Sequence, residues 1–192
     1  AAGGTARFIQ TQVADRANVE TMVAAVVAEF GRIDILVNNA AILGENGHVL
    51  EVPQEVWDRV IGVNQTGVFI CSQVVGRVMA KARRGNIINI ASTAGLKGFA
   101  RGTVYSSSKF ALRGMTECWQ AELRPFNIRV MLINPSEVTT AFANKERAER
   151  PETAKKLRSE EIAHAIKSVL KMDDRGFIPE LTVWATNPWE KK

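Results

Sequence analysis

The chain has few of the residues that build disulfides and metal sites. It contains two cysteines and two histidines. Cys71 and Cys118 are far apart in apolar helical patterns, so we interpret both as free thiols. His48 and His164 have no Cys, Asp or Glu at ligand spacing, so we propose no metal site. Free thiols favour a reducing compartment, and we therefore expect a cytoplasmic protein.

Long apolar runs are also missing. Runs such as IDILVNNAAIL at residues 33–43 are too short and too often interrupted to cross a bilayer as a helix. The net charge of +5 comes from scattered basic clusters with little aromatic interleaving, which indicates solvated surface rather than a nucleic-acid site. We therefore expect no membrane span and no nucleic-acid partner.

The chain does have enough apolar residues for a core. Hydrophobic residues make up 46% of it and charged residues 23%, which fits a single globular domain over residues 1–192. The hydrophobic pattern alternates between strand and helix periods. The predicted strands are residues 7–13, 33–37, 86–92, 128–134 and 181–185, and the predicted helices are residues 18–30, 54–82, 104–123 and 160–172. Gly31 is expected to end the first of these helices.

This alternation predicts an α/β fold. Elements of this length imply right-handed crossovers and a parallel sheet that is covered by helices. Ligands of such sheets lie outside the carboxyl ends of the strands. Chemistry is therefore expected in three segments that follow strands, namely NNAA at residues 38–41, ASTAG at residues 91–95 and NPSEVTT at residues 134–140.

Tyr105 and Lys109 are the first candidate catalytic residues. They are four residues apart on a predicted helix, so both side chains share one face about one turn apart. A free phenol has a pKa of about 10, and a nearby ammonium lowers that pKa and favours the phenolate. The pair is therefore suited to proton exchange near neutral pH. The alternative is a half-buried aromatic beside a solvated charge, and the spacing alone does not exclude it.

Two further polar residues can join this pair. Ser92 ends the preceding buried strand, thirteen residues before Tyr105, where its hydroxyl can hold a substrate oxygen; taken alone, it fits a turn equally well. Asn64 lies in the otherwise apolar segment VIGVNQTGVF, and a buried amide needs hydrogen-bond partners. Its side chain either bonds local backbone or orders a water that leads from Lys109 to solvent, and both alternatives stay open.

These motifs closely resemble those of the short-chain dehydrogenase/reductase family. NNAA, VNQTG, the spacing from Ser92 to Tyr105, YSSSK and NPSEVTT occur in the family's order and cover nearly the whole chain. The resemblance implies a Rossmann-type, doubly wound parallel sheet with helices on both faces. It also implies a catalytic tetrad of Asn64, Ser92, Tyr105 and Lys109. In that tetrad Tyr105 is the general acid/base, Ser92 orients the substrate, Lys109 also binds the nicotinamide ribose and Asn64 holds a relay water.

The resemblance further implies a nicotinamide dinucleotide cofactor. Its contacts would be Gln12 and Val13 at the adenine, Asn38 and Ala40 beside the adenosine half, Tyr105 and Lys109 at the ribose, and Val138 and Thr140 near the carboxamide. The resemblance does not separate NAD from NADP, and NADP is our first guess.

Three positions depart from the family pattern. Gln12 stands where the family commonly has Asp, with Asp15 three residues further on. The Gln12 amide oxygen can still accept a hydrogen bond, so the inference of adenine binding is weakened rather than removed. Ala41 and Ser136 replace two glycines of the family motifs, and at both positions the backbone must adopt angles that an L-residue allows.

The glycine-rich segment T-G-x-x-x-G-x-G of the family does not occur in this sequence. That segment binds pyrophosphate at a helix N-terminus. We expect roughly fifty further residues before Ala1 in the natural protein, carrying this segment and the first two strands. Those strands lie between the third and fourth strands of the family's sheet, so without them residues 7–13 have no strand to pair with, and the fragment is expected to bind cofactor poorly.

As a whole the resemblance implies an NAD(P)-dependent oxidoreductase that moves hydride between nicotinamide and a small-molecule carbonyl or secondary alcohol. Our first substrate hypothesis is a 3-oxoacyl thioester, because the chain looks most like the 3-oxoacyl-[acyl-carrier-protein] reductases. The alternative is a catalytically silent dinucleotide-binding sensor or scaffold, against which the complete tetrad argues. The resemblance also implies a homo-oligomer, either a dimer or a tetramer, formed through the helices at residues 54–82 and 104–123.

Overall fold

The computed structural model describes residues 3–142, 144, 146, 148–151 and 155–188. The helices are α1 Arg16–Phe30, α2 Gln54–Ile61, α3 Val68–Ala82, α4 Thr103–Leu123 and α5 Ser159–Leu170. The strands are β1 Ile35–Asn38, β2 Gly85–Ile90, β3 Ile128–Pro135 and β4 Glu180–Val183. A π-helical stretch, Gly62–Gly67, joins α2 to α3, and short 3-10 turns follow β2 at Thr93–Gly95 and α4 at Arg124–Phe126.

The strands form one parallel sheet in the order β1-β2-β3-β4. Parallel neighbours need a long crossover, and each connection along this chain carries helix: α2 and α3 lead from β1 to β2, α4 leads to β3, and α5 leads to β4. All carboxyl ends therefore meet at one edge of the sheet. The three segments in which the sequence predicts chemistry lie at this edge.

Alternating residues of β3 divide the core between the two faces of the sheet. Val130 packs with α1 and α3, and Leu132 packs with residues of α3 and α4. Met131 and Ile133 face the other way and pack against α5. Because successive strand residues point to opposite faces, this division places helices on both faces of the sheet. The predicted α/β fold with a helix-covered parallel sheet is confirmed.

Local signals explain the ends of α1. The Asp15 carboxylate accepts a hydrogen bond from the Asn18 N–H at 3.1 Å and caps the start of the helix. Gly31 has φ 77° and its N–H donates to the Val27 carbonyl at 2.8 Å, so the helix ends at the glycine as predicted. Most other element boundaries lie within a few residues of the predicted ones.

The predicted strand at residues 7–13 is wrong, because the structure forms no strand there. Phe8 is 91% exposed, and the segment runs beside α1 without a ladder partner. Val13 packs against the π-helical stretch, where a Cβ on Gly67 would come within 2.7 Å of the valine side chain. Apolar alternation alone does not make a strand when the described chain supplies no neighbour for its hydrogen bonds.

β1 leaves apolar surface on one face of the sheet. Leu36 packs into the core with α1 and α3, whereas Ile35 is 46% and Val37 is 43% exposed. These two residues point to the face that α5 covers further along the sheet.

Among the described helices, none combines the length and the apolar character that crossing a membrane requires.

The 3-10 turn after β2 lies very close to α4. A Cβ atom on Gly95 would come within 2.9 Å of the Lys109 carbonyl oxygen and within 3.0 Å of its carbonyl carbon. These are backbone atoms of a helix, which cannot swing aside as a flexible side chain can. Gly95 therefore sets how closely the loop that carries Ser92 approaches the helix that carries Tyr105.

Replacing Gly95 with Ala should lower the free energy of unfolding by about 1–3 kcal/mol, because the added methyl overpacks the contact between the turn and α4. Gly98→Ala is the matched control. It lies in the same loop without a positive φ, and a Cβ there meets nothing within 4 Å, so its change should stay within about 0.5 kcal/mol. Urea unfolding measures both, and equal stabilities of the two variants would contradict the role of Gly95.

Candidate active site

Ser92 and Tyr105 meet where the carboxyl end of β2 lies against the first turn of α4. Ser92 is extended, with φ −173°, and its Oγ accepts a hydrogen bond from the Ala94 N–H at 3.1 Å. Tyr105 is the third residue of α4. Burial raises the pKa of its phenol, and a hydrogen bond with the Ser92 side chain offsets part of that rise. The structure thus brings together the two oxygens that the sequence pairs.

Lys109 adds a buried cation one helical turn beyond Tyr105. The residue is 3% exposed, and its ammonium donates a hydrogen bond to the Ile90 main-chain carbonyl at 2.8 Å. The Lys109 Nζ lies 5.7 Å from the centroid of the Tyr105 ring, within the range of cation–π attraction. Burial lowers the pKa of Lys109 to about 8, because a desolvated ammonium is disfavoured.

The pKa of Tyr105 moves against our expectation. Burial raises it above the ordinary value of 10.0, and the hydrogen bond with Ser92 offsets only part of that rise. Desolvation penalises the charged phenolate, whereas the Lys109 ammonium is held beside the ring by the Ile90 carbonyl. The expected lowering of the pKa is therefore wrong for the described chain, whose geometry favours the protonated phenol.

Asn64 is completely buried in the π-helical stretch. Its Oδ1 accepts a hydrogen bond from the Ile42 N–H at 2.9 Å, and its Nδ2 donates to the Ile42 carbonyl at 2.8 Å and to the Ser108 hydroxyl at 3.1 Å. The side chain thus bonds local backbone, as the first alternative has it, and the ordered water of the second stays a prediction. It ties the loop after β1 to α4 at the level of Tyr105.

Asn38 belongs to a buried polar network that crosses the sheet. Its Nδ2 donates to the Ser72 hydroxyl at 2.9 Å and to the Asn89 Oδ1 at 2.8 Å, and the Asn89 Nδ2 donates to the Thr116 hydroxyl at 2.9 Å. Both Nδ2 donors of Asn38 are therefore taken by the protein, which leaves its Oδ1 and its main chain to contact a ligand. The sequence analysis missed Asn89, although an amide inside the apolar strand NIINI was a signal for such a network.

Two more of the predicted cofactor contacts lie at the surface. The side chains of Gln12 and Ala40 are exposed, and Val13 is half-buried against the π-helical stretch. Asp15, the acidic residue near Gln12, is engaged as the cap of α1. These positions are accessible to a ligand, but the structure shows no hydrogen bond that joins them to Tyr105 within the described ranges.

The loop after β3 carries the last predicted contacts, Val138 and Thr140, and leads to an aromatic residue that lies against the phenol. Thr140 accepts a hydrogen bond at its hydroxyl from the Phe142 N–H at 3.2 Å, and the Phe142 ring lies 6.0 Å from the Tyr105 ring, centroid to centroid. Val138 bridges Leu157. The sequence analysis missed the aromatic contact, because nothing in the spacing from 105 to 142 signals it.

The two glycine replacements are compatible with the backbone. Neither Ala41 nor Ser136 has a positive φ. The Ser136 N–H donates to the Val183 carbonyl at 2.9 Å, and its hydroxyl accepts from the Ala185 N–H at 3.3 Å. The serine thus joins the ends of β3 and β4, which a glycine could do only through its main chain.

Known proteins are similar to this chain in sequence and in fold. The chain is 40% identical over 142 residues to the 3-oxoacyl-[acyl-carrier-protein] reductase FabG of Thermotoga maritima, an alignment that covers 74% of the chain and 57% of that relative. A metagenomic short-chain oxidoreductase in complex with NADP superposes with a TM-score of 0.80 at 29% identity, over 99% of this chain and 77% of that one. An NAD+-bound xylitol dehydrogenase gives a TM-score of 0.80 at 28% identity, over 91% and 76%.

The match with the family itself covers most of the sequence. The chain spans little more than half the length of the curated relative named above. The family model described as short chain dehydrogenase matches residues 1–151, which confirms the resemblance inferred from the motifs. The chain belongs to the short-chain dehydrogenase family.

Proposed function

We propose that the protein is an NAD(P)-dependent oxidoreductase that interconverts a carbonyl and a secondary alcohol. The observation that carries the proposal is the convergence of a serine hydroxyl, a phenol and a buried ammonium at the carboxyl end of β2. Ser92 is within hydrogen-bonding reach of Tyr105, and the Lys109 Nζ lies 5.7 Å from the phenol ring. A silent sensor or scaffold has no physical need for a buried cation beside a phenol, since burying the charge is unfavourable.

Tyr105 is the proton donor to a carbonyl in this proposal. Burial keeps the phenol protonated, and Ser92 holds the substrate oxygen next to it. As the carbonyl is reduced, the phenol proton moves to the developing alkoxide and leaves a phenolate. The Lys109 ammonium is fixed beside the ring by the Ile90 carbonyl, and its positive charge stabilises the phenolate. The attraction is strong because the interior has a low dielectric constant. Oxidation of an alcohol runs through the same groups in reverse.

A nicotinamide dinucleotide fits this site on two observations. The Thr139 hydroxyl is buried without a hydrogen-bond partner among the described residues, between the two predicted contacts Val138 and Thr140. The Lys109 ammonium carries three donors and makes one described hydrogen bond, to Ile90. Val138 and Thr140 would hold the nicotinamide half, and Lys109 the ribose hydroxyls. The bound cofactor, NAD or NADP, supplies or accepts the hydride.

The adenosine half lies toward the surface in this proposal. Its contacts are the side chains of Gln12 and Val13, the region of Ala40 and the main chain of Asn38. The exposure of Gln12 and Ala40 supports this assignment, since a ligand can reach both. We further infer a single dinucleotide-binding domain in the cytoplasm, supported by two cysteines, Cys71 and Cys118, that are both free.

Asn64 has an organising role in this proposal. Both of its Nδ2 donors are taken by Ile42 and Ser108 and its Oδ1 accepts the Ile42 N–H, so a water that relays protons from Lys109 would bind the second lone pair of Oδ1 or the main chain of the π-helical stretch. A π turn leaves backbone groups outside the regular helical hydrogen bonds, and such turns are frequent at functional sites. Asn64 therefore serves catalysis by holding the loop after β1 against α4.

A 3-oxoacyl thioester is the first substrate to test. The 40% identity to the 3-oxoacyl-[acyl-carrier-protein] reductase of Thermotoga maritima supports this choice. The similarity to a xylitol dehydrogenase keeps polyols in the test set. A panel of ketones and alcohols with each nicotinamide cofactor, followed at the nicotinamide absorbance band, distinguishes these classes in the full-length protein.

The protein also assembles with copies of itself in this proposal, as a dimer or a tetramer. The long helices α3 and α4 both carry exposed aromatic side chains, since Phe69 is 41% and Phe110 is 44% exposed. Large apolar side chains that helices leave exposed are typical of interfaces between chains.

Replacing Tyr105 with Phe should lower turnover by at least about a hundredfold, because the proton donor is lost. Affinity for the cofactor should fall by about tenfold at most, since only the phenol's own hydrogen bond to the ribose is lost while the ring packing and Lys109 are kept. Ser107→Ala is the matched control on the same helix, because within the described part of the chain the Ser107 hydroxyl bonds only the Val104 carbonyl, at 3.0 Å. This variant should turn over like the wild type. Near-normal turnover of the Phe variant would refute the assignment of Tyr105.

The pH dependence of activity and stability should diverge because of Lys109. Its folded-state pKa of about 8 lies below the ordinary 10.5, so the ammonium is lost as pH rises through 8. The kcat/KM of the free enzyme should therefore fall above that pH.

Stability should move in the opposite direction. Between pH 8 and pH 10.5 the unfolded chain holds more protons at Lys109 than the folded chain, so the free energy of unfolding should rise, by up to about 3 kcal/mol. Urea unfolding of Lys109→Met, which should show no such rise, is the control; a parallel rise in both proteins contradicts the account.

Light scattering after size exclusion should give the mass of a dimer or a tetramer for the full-length protein. Replacing both Phe69 and Phe110 with Ser should shift the mass toward the monomer, because the exposed aromatic surface of α3 and α4 is removed. A wild-type protein that elutes as a monomer at micromolar concentration would rule out this assembly.

A further inference from the structure

One arginine reaches across the loop that follows β3. The Arg150 Nη2 donates to the Val138 carbonyl at 2.7 Å, and its Nε donates to the Thr140 carbonyl at 3.2 Å. Its Nη1 donates to the Glu137 carboxylate at 3.0 Å. A single guanidinium therefore bonds three residues of one loop, Glu137, Val138 and Thr140. Its rigid planar fork of donors makes this possible.

Further contacts from residues 156 and 157 hold the same loop. The Thr139 N–H donates to the Leu157 carbonyl at 2.8 Å, and Val138 forms a parallel bridge with Leu157. Lys156 donates to the Glu137 carboxylate at 2.8 Å. Lys156 and Arg150 together lower the pKa of Glu137, which keeps the carboxylate charged. The carbonyls of Val138 and Thr140 are thus braced by Arg150 while the intervening N–H is braced by Leu157.

The braced loop leads directly to the phenol. After Thr140 the chain turns through the hydrogen bond from the Phe142 N–H to the threonine hydroxyl, and the Phe142 ring then lies against Tyr105. A shift of the Val138 and Thr140 carbonyls would therefore also move Phe142, which lies against the catalytic phenol. The position of this loop depends on an arginine ten residues further along the chain.

We propose that Arg150 is a positioning residue that holds residues 138–142 in place for the nicotinamide half of the cofactor. This inference rests on the proposed function, because Val138 and Thr140 are the contacts assigned there to nicotinamide. The two bonds to main-chain carbonyls carry the role. The ion pair with Glu137 is solvent-accessible on both sides, and exposed ion pairs contribute little.

The first arm of the test measures the loop without any cofactor. In the full-length protein, Arg150→Ala should increase hydrogen exchange at the amides of Thr139 and Phe142 by about tenfold or more, since the braces that keep them bonded are lost. Arg113→Ala is the matched control, because Arg113 is equally exposed at 39% but, among the described residues, pairs only with the carboxylates of Glu117 and Glu180. Unchanged exchange at both amides in Arg150→Ala would overturn the proposal.

The second arm compares the whole cofactor with the part that lacks nicotinamide. Calorimetry should show that Arg150→Ala binds the oxidised dinucleotide about tenfold more weakly. Its affinity for ADP-ribose, or for the 2′-phosphate form if the protein uses NADP, should stay within about twofold of wild type. Equal losses for both ligands, or no loss for either, would overturn the positioning role. A wild-type protein that binds neither ligand would instead refute the proposed function, and the first arm would still report on the brace.

Two graded variants separate the carbonyl bonds from the ion pair. Arg150→Lys keeps the charge but can reach only one of the three acceptors, so it should resemble the alanine variant in dinucleotide affinity. Glu137→Gln removes the ion pair but leaves both carbonyl bonds, so its affinity should stay within about threefold of wild type. Full rescue by lysine, or a loss in Glu137→Gln as large as that in Arg150→Ala, would contradict the proposal.

Discussion

The buried ammonium of Lys109 is the constraint on which the site depends. A charge that is 3% exposed requires a partner, and the partner here is the carbonyl of Ile90, the last residue of β2. That one hydrogen bond fixes α4 against the carboxyl end of the sheet. It also places Ser92, two residues beyond Ile90, opposite Tyr105, which is one turn before the lysine.

Other features of the interior serve the same alignment. Gly95 allows the backbone of the turn to touch the backbone of α4, and Asn64 secures the loop after β1 to Ser108 on the same helix. The network through Asn89 links the helix to two strands by way of Thr116. Buried polar groups of this kind restrict a helix to one register, because any shift leaves several of them unsatisfied. The helix that carries the phenol is therefore held at three residues, Ser108, Lys109 and Thr116.

The sequence predicted what depends on local pattern. The period of apolar residues gave the helices and the parallel strands, and the positions of Ser92, Tyr105 and Lys109 followed from the ends of those elements. The same apolar period predicted a strand at residues 7–13, and the lack of a neighbouring strand, which the family's sheet order already indicated, is why none forms. Neither the π turn at Asn64 nor the raised pKa of Tyr105 was visible, because both arise from burial and from contacts distant in sequence. Arg150 was missed for the same reason.

The bare flank of β1 affects how this chain behaves in concentrated solution. In the described residues β1 pairs with β2 alone, and Ile35 and Val37 lie uncovered beside that open edge. An unpaired strand with an apolar flank is a template for the same strand of another molecule. Preparations of the 192-residue polypeptide are thus expected to aggregate through the edges of their sheets. This association is separate from any packing of α3 and α4 between chains. Dilute samples, or a fusion partner that shields this strand, would keep such aggregates from being mistaken for a native complex.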